Sequence, residues 1–264
     1  MYSITYVFCK KMPIFAPIIH FYGMLTKTTA IVLHNIKYGD SKMIVDMFTR
    51  SHGRMSFVVT MPKSAKSKIR KQLFQPLSML SIEYDYRPKV QLQKIREATI
   101  LYPYSSLPFD MDKLTVGMFI AEFLYHSLYG EQANEPMFDY IYDSLQWFDG
   151  SPSPAANFHL VFMMRLSLFL GFYPNLDDYA SGCVFDLRNG SFSSVAPLHS
   201  DYLLPDEASQ MSLMMRMNYP TMHLFKFTRA QRNRLLGVIV QYYRLHIPGF
   251  PDMKSLDVLR NIYD

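Results

Sequence analysis

The sequence predicts an α+β chain: a small five-stranded β-barrel, then a mostly α-helical region carrying a small β-hairpin insertion. Three observations predict it. From Thr29 to Leu101 the chain breaks into short alternating apolar runs punctuated by Gly, Asp and Ser. From Asp112 onward the apolar residues recur at helical spacing. Charge divides at the same place, with 14 Lys and Arg against 4 Asp and Glu from Met24 to Arg96, and 11 against 18 from Glu97 to the end. A net charge of +5 therefore conceals a strongly basic front and an acidic remainder.

The strands are justified in order. Thr29–Lys37 is rich in β-branched and apolar residues, and Tyr38-Gly39-Asp40-Ser41 supplies turn chemistry. Met43–Thr49 forms a second strand, Ser51-His52-Gly53 a tight turn and Met55–Met61 a third. After a basic connection, Leu77–Tyr86 and Val90–Leu101 complete the set. Five strands with one longer insertion after the third fit an OB-type barrel, and an SH3-like barrel has a similar strand count.

Helices are expected over Asp112–Tyr129, Glu135–Phe148 and Phe158–Leu170, the last ending at Gly171. Two more are expected over Thr228–His246 and Ser255–Tyr263. Between them, Cys183–Ser193 carries Asn189-Gly190, a strong hairpin signal. This divides the chain into residues 1–23 as a weakly ordered leader, 24–102 as a nucleic-acid-binding barrel, and 103–264 as a helical domain with the insertion at about 174–200. The leader is apolar, but Lys10-Lys11, Pro13 and Pro17 interrupt it, so neither a membrane span nor a signal peptide is expected and the chain is read as cytoplasmic.

Composition bounds the function. With 49% hydrophobic and 19% charged residues the chain is globular. Its two cysteines, Cys9 and Cys183, stand apart from any ligand-spaced cluster, which excludes a disulfide framework and gives no expectation of a metal or other cofactor. No phosphate-binding loop, nucleophile elbow or zinc-protease motif occurs, so no catalytic residue is assigned.

The candidate residues are cationic and aromatic. Lys63-Ser-Ala-Lys-Ser-Lys-Ile-Arg-Lys71 holds five cations in nine residues, including Lys66, Lys68 and Arg70. Read alone it fits a solvated loop as well as a phosphate contact. Lys42, Arg54, Arg87 and Lys89 in the same barrel sum with it into a field that attracts polyanions. Tyr38 and Tyr86, next to turns, are the expected stacking surfaces for bases, ahead of Phe57, which is expected in the core. In the helical region Arg165, within Met163-Met164-Arg165-Leu166, offers a cation among apolar residues for an acidic partner peptide, or a partner for an acid of its own domain.

Lys27-Thr-Thr-Ala-Ile-Val-Leu33, Tyr38-Gly39-Asp40-Ser41, Phe48-Thr49, Gly53 and Leu73-Phe74-Gln75-Pro76-Leu77 in the front half resemble segments of the bacterial RecO family. Arg165-Leu-Ser-Leu-Phe-Leu-Gly-Phe-Tyr-Pro174, Tyr243-Arg-Leu-His246 and Lys254-Ser255-Leu256 follow in the family's order. The resemblance begins at Met24. It implies an OB fold and a helical domain, and a non-enzymatic mediator of recombinational DNA repair, associated with the nucleoid. Such a protein binds single- and double-stranded DNA, anneals single strands, engages the acidic C-terminal tail of the single-strand-binding protein, and acts with RecR to load RecA. Many members bind zinc through a cysteine cluster after Leu-Gly-Phe-x-Pro; here Cys183 alone remains, so no structural zinc is expected. The other reading of the charge pattern is an adaptor whose basic barrel binds an acidic protein or structured RNA.

Overall fold

A computed structural model of the chain describes residues 24–61, 71–151 and 155–261. The leader therefore lies outside the described residues.

Five strands form the front part: β1 (Met24–Tyr38), β2 (Lys42–Thr49), β3 (Gly53–Thr60), β4 (Met79–Tyr86) and β5 (Leu92–Tyr102). They close in the order β1-β2-β3-β5-β4, with β3 and β5 parallel and the other pairs antiparallel. Alternation decides what is inside: Met43, Val45 and Met47 of β2 meet Phe57 and Val59 of β3 and Ile82 and Tyr84 of β4. β1 starts five residues earlier than the sequence pattern suggested, because Met24–Thr28 pairs with Ile82–Tyr86.

A bulge in β1 sets the next level of organisation. The pairing with β2 passes from Val32↔Met47 to His34↔Asp46, leaving Leu33 as the extra residue. Leu33 joins Ile31 and Phe48 on the outside of the barrel, and these three pack into the helical core rather than the barrel core.

The helical region comprises α1 (Met111–Ser127), α2 (Glu135–Gly150), α3 (Phe158–Phe169), α4 (Pro205–Met215), α5 (Arg229–His246) and α6 (Ser255–Asn261). Side-chain caps fix two of its helix starts. Asp110 accepts from the Asp112 and Lys113 amides, and Thr228 and Gln231 form a capping box on α5. The expected hairpin is present as β6 (Val184–Asp186) and β7 (Ser191–Ser193), and β8 (Tyr202–Leu203) adds a third strand beside β6. Its turn is held by Asp186, whose carboxylate accepts from the Arg188 and Asn189 amides and from the Asn189 side chain. The expected helices are all present, and α4 is an additional one.

The connection from β5 to α1 is locked from the far end of α2. The Asp149 carboxylate, 2% exposed, accepts from the amides of Ser105 (2.8 Å), Ser106 (2.8 Å) and Leu107 (2.7 Å). Beside it the buried Lys113 ammonium donates to the Asp149 and Ser151 carbonyls and to the Ser106 hydroxyl. A cation from α1 thus satisfies carbonyls at the C-terminal end of α2.

Candidate nucleic-acid interface

The barrel's outer surface follows from strand register. Cross-strand partners project to the same side, so each row of pairs is a row of neighbouring side chains. The first outward row is Tyr38, Lys42 and Thr60; the second is Ile36, Ile44, Val58 and Lys94; the third is His34, Asp46, Ser56 and Leu92. The first two rows form the open face. Tyr38 is 55% and Ile36 47% exposed, Lys42 and Lys94 are exposed, and Ile44 and Val58 are half-buried. Asp46 in the third row is engaged by the Ser56 hydroxyl at its side and lies 3.9 Å from His34.

Two backbone contacts fix where the chain leaves β3 and where it re-enters the described residues. The Met61 amide donates to the Ser41 carbonyl (2.7 Å), so the chain leaves β3 beside the β1–β2 turn. It re-enters the described residues at the exposed Lys71, which opens a 3-10 turn whose Phe74 carbonyl accepts from the Asn35 side chain (2.8 Å). Lys63, Lys66, Lys68 and Arg70 lie outside the described residues.

The other sequence candidates fall elsewhere. Tyr86 pairs with Met24 at the opposite end of β1. It is half-buried, with its ring 4.0 Å from that of His52. The His52 ring nitrogen in turn lies 2.9 Å from the Tyr84 hydroxyl, and burial pushes the His52 imidazole below its ordinary value. Arg87 and Lys89 are exposed on the adjoining β4–β5 turn, which the Gln93 side chain pins through Arg87 and Val90. Arg54 lies on the part of the barrel covered by α1. Phe57 and Phe74 are fully buried. The structure therefore groups Tyr38, Lys42 and Lys71 at one end of the barrel and Tyr86, Arg87 and Lys89 at the other.

Arg165 on α3 is half-buried and donates to the Met217 carbonyl (3.2 Å), a backbone group rather than the acid that sequence reasoning offered as its internal partner. Next to it Tyr219, pushed up to about 12 by burial, shares hydrogen bonds with Tyr140 and Ser144.

Sequence reasoning missed the apolar part of the open face. Ile36, Ile44 and Val58 look like core residues in a one-dimensional pattern, and only cross-strand register places them together outside. Lys94 gains its position beside β2 and β3 from the parallel β3–β5 pairing, which local sequence does not encode.

The residues present do not fit a zinc ion. Cys183 is buried, its sulfur lies 3.9 Å from the Asp178 carbonyl, and among the described residues no three His, Cys, Asp or Glu side chains gather as ligands. Aromatic packing occupies the region instead, with Tyr179 against Phe192 at 5.0 Å and Phe192 against Phe185 at 4.8 Å. Among the described residues no helix is long and apolar enough to cross a membrane.

A five-stranded barrel of this order, joined to a helical region, defines an OB-type α+β protein. Comparison with known proteins narrows that class. A family model described as Recombination protein O N terminal matches residues 24–104, and one described as Recombination protein O C terminal matches residues 108–256. The chain is 52% identical over 240 residues to the DNA repair protein RecO of Phocaeicola vulgatus, covering 91% of this chain and 100% of that one. It is 51% identical over 242 residues to its counterpart in Bacteroides fragilis, and 33% identical over 247 residues to that of Porphyromonas gingivalis, with the same coverage. The chain belongs to the RecO family of DNA repair proteins.

Proposed function

We propose that this protein is a non-catalytic recombination mediator that binds single- and double-stranded DNA on the open face of its barrel and anneals complementary strands. The observation that carries this reading is the row of Tyr38, Lys42 and Thr60 beside the row ending in Lys94, with the chain leaving β3 beside the β1–β2 turn at its edge. Cations there neutralise phosphates, while Tyr38 and the apolar Ile36 offer flat or greasy contact to unstacked bases. Annealing then needs no reacting group: it follows from screening the repulsion between two strands held near one surface. Tyr86, Arg87 and Lys89 extend the contact around the far end of the barrel.

The acidic tail of the single-strand-binding protein docks at Arg165, whose remaining guanidinium donors and apolar neighbours suit a carboxylate on an apolar peptide. In the cell the protein acts with RecR to load RecA.

The deciding experiment is annealing of two complementary oligonucleotides pre-coated with single-strand-binding protein. Acceleration that weakens with salt is expected, with log K for a bare single strand falling by about 0.7 per phosphate contact for each unit of log salt. Lys42→Glu with Lys94→Glu reduces both. Intact binding in that double variant removes the open face from the site, and failure of the wild-type protein to bind any single strand overturns the reading.

A further inference from the structure

The helical region is acidic overall, yet between Glu207 and Asp252 it contains no acid at all. Six cations fall in that interval: Arg216, Lys226, Arg229, Arg232, Arg234 and Arg244. Two of them, Arg216 and Lys226, lie on the connection between α4 and α5, and Arg229, Arg232 and Arg234 follow in the first turns of α5.

That connection is a fixed structure. Successive turns close it, with the Met222 amide on the Asn218 carbonyl (2.8 Å) and the Leu224 amide on the Thr221 carbonyl (2.9 Å). The buried Asn157 side chain then fastens it to α3 by donating to the Met222 (3.0 Å) and Phe225 (2.9 Å) carbonyls. Arg234 pairs with Glu207, but Arg216 and Lys226 are exposed and form no ion pair among the described residues. Between them His223 is exposed and Leu224 is 65% exposed. The fold thus holds two exposed cations, ten residues from each other in sequence, on a hydrogen-bonded connection whose own sequence contains no acid. Cations spaced in this way suit a repeating polyanion, whereas an acidic peptide end needs its cation concentrated beside an apolar groove.

We propose that the α4–α5 connection, centred on Arg216 and Lys226, contacts the phosphate backbone of a second DNA strand while the barrel face holds the first. This rests on the barrel reading above and extends it. Two strands repel one another, so annealing on one chain gains from separate cationic surfaces that bring both within reach.

The test uses the full chain carrying Arg216→Glu and Lys226→Glu, with Arg216→Ala and Lys226→Ala as a milder pair. Both sites are exposed, and an unchanged unfolding midpoint certifies the fold. Two non-complementary oligonucleotides with different fluorophores report co-occupancy by energy transfer, and complementary ones report annealing. First-strand affinity is expected to change by less than about twofold, and co-occupancy and annealing to fall about tenfold, as expected on losing one or two phosphate contacts. Unchanged co-occupancy and annealing overturn the proposal. So does loss of binding to an acidic tail peptide with co-occupancy intact, which assigns the surface to a protein partner. Lys42→Glu with Lys94→Glu serves as the reference: if that variant keeps first-strand binding, the barrel reading fails independently of this one.

Discussion

Arg54, a barrel residue, donates its guanidinium to the backbone carbonyl of Tyr125 and holds it 4.4 Å from the centroid of that residue's ring. Its own amide donates to the Glu131 carbonyl (2.9 Å), and neighbouring Arg50 pairs with Asp139 (3.0 Å) and Glu135 (3.4 Å). The β2–β3 turn is therefore a plug in the α1–α2 connection. Two of the cations that make the barrel look so basic in sequence serve this seam, and Lys27 and Arg96 pair with Glu83 and Asp85.

Arg54→Ala should accordingly act on stability. Losing a charge-assisted hydrogen bond and a cation–π contact in a half-buried seam costs about 2 kcal/mol. Thermal unfolding is expected to show that loss, with the salt dependence of single-strand binding unchanged. A flatter salt slope at unaltered unfolding temperature would instead return Arg54 to the DNA contacts.

Gly53 makes the seam possible. It has φ +70°, and a Cβ there would stand 2.3 Å from the Gln132 carbonyl carbon and 2.4 Å from the Glu131 oxygen. Backbone on the other side has no rotamer to yield. Gly53→Ala is expected to cost about 3 kcal/mol, more than the 1–2 kcal/mol of left-handed backbone alone. A urea midpoint close to wild type would show that the plug tolerates a wider gap.

These contacts also explain what sequence could convey. The barrel strands were legible because Met43, Val45 and Met47 alternate with polar or outward residues, and the end of α3 was legible at Gly171 because that signal is local. α4 was overlooked although Pro205-Asp206-Glu207 is a standard helix opening, since the Met-rich sequence behind it has little amphipathic contrast. The candidate site was legible as a composition and only partly as a place. Whether a cation faces solvent or a seam depends on residues far along the chain: Arg54 meets Tyr125, and Arg50 meets Asp139. Tyr38 and Tyr86 both border turns, yet barrel closure puts them at opposite ends of β1 and sets one of them against the His52 ring.

Asp149 gives a third test. Burial alone would raise its carboxyl, but the amides of Ser105, Leu107 and Ser106 outweigh that and hold it well below the usual carboxylate range. Asp149→Ala strands those donors and is expected to cost about 3 kcal/mol or more, while Asp149→Asn, which keeps an acceptor, costs about half as much. Equal losses in the two variants would mean that packing, not the carboxylate oxygens, secures the connection.

Acid stability reports a different buried group. His159 lies 2% exposed on α3 with its Nδ1 unpartnered, edge-on to Phe119 at 6.2 Å between ring centroids. Burial, reinforced by the charge of Arg232, pushes its imidazole down to about 3. In the unfolded chain the same ring titrates near its ordinary value of about 6.5. Above that pH both states are neutral and His159 contributes no pH dependence. Below it the unfolded chain binds a proton that the folded one refuses, so stability declines with falling pH until the folded value is reached. The slope from this single group approaches about 1.4 kcal/mol per pH unit between roughly pH 6 and 4. Asp149 adds loss of the same sign only below the ordinary carboxyl range of about 3.9, and His52 and His126, both shifted down chiefly by burial, add smaller terms within the window. The difference between wild type and His159→Phe isolates the one residue. Denaturant unfolding at pH 7, 6, 5 and 4 should show the variant losing about one proton's worth less of that slope. Parallel pH profiles would mean that the ring is protonated in the folded protein and finds a partner there.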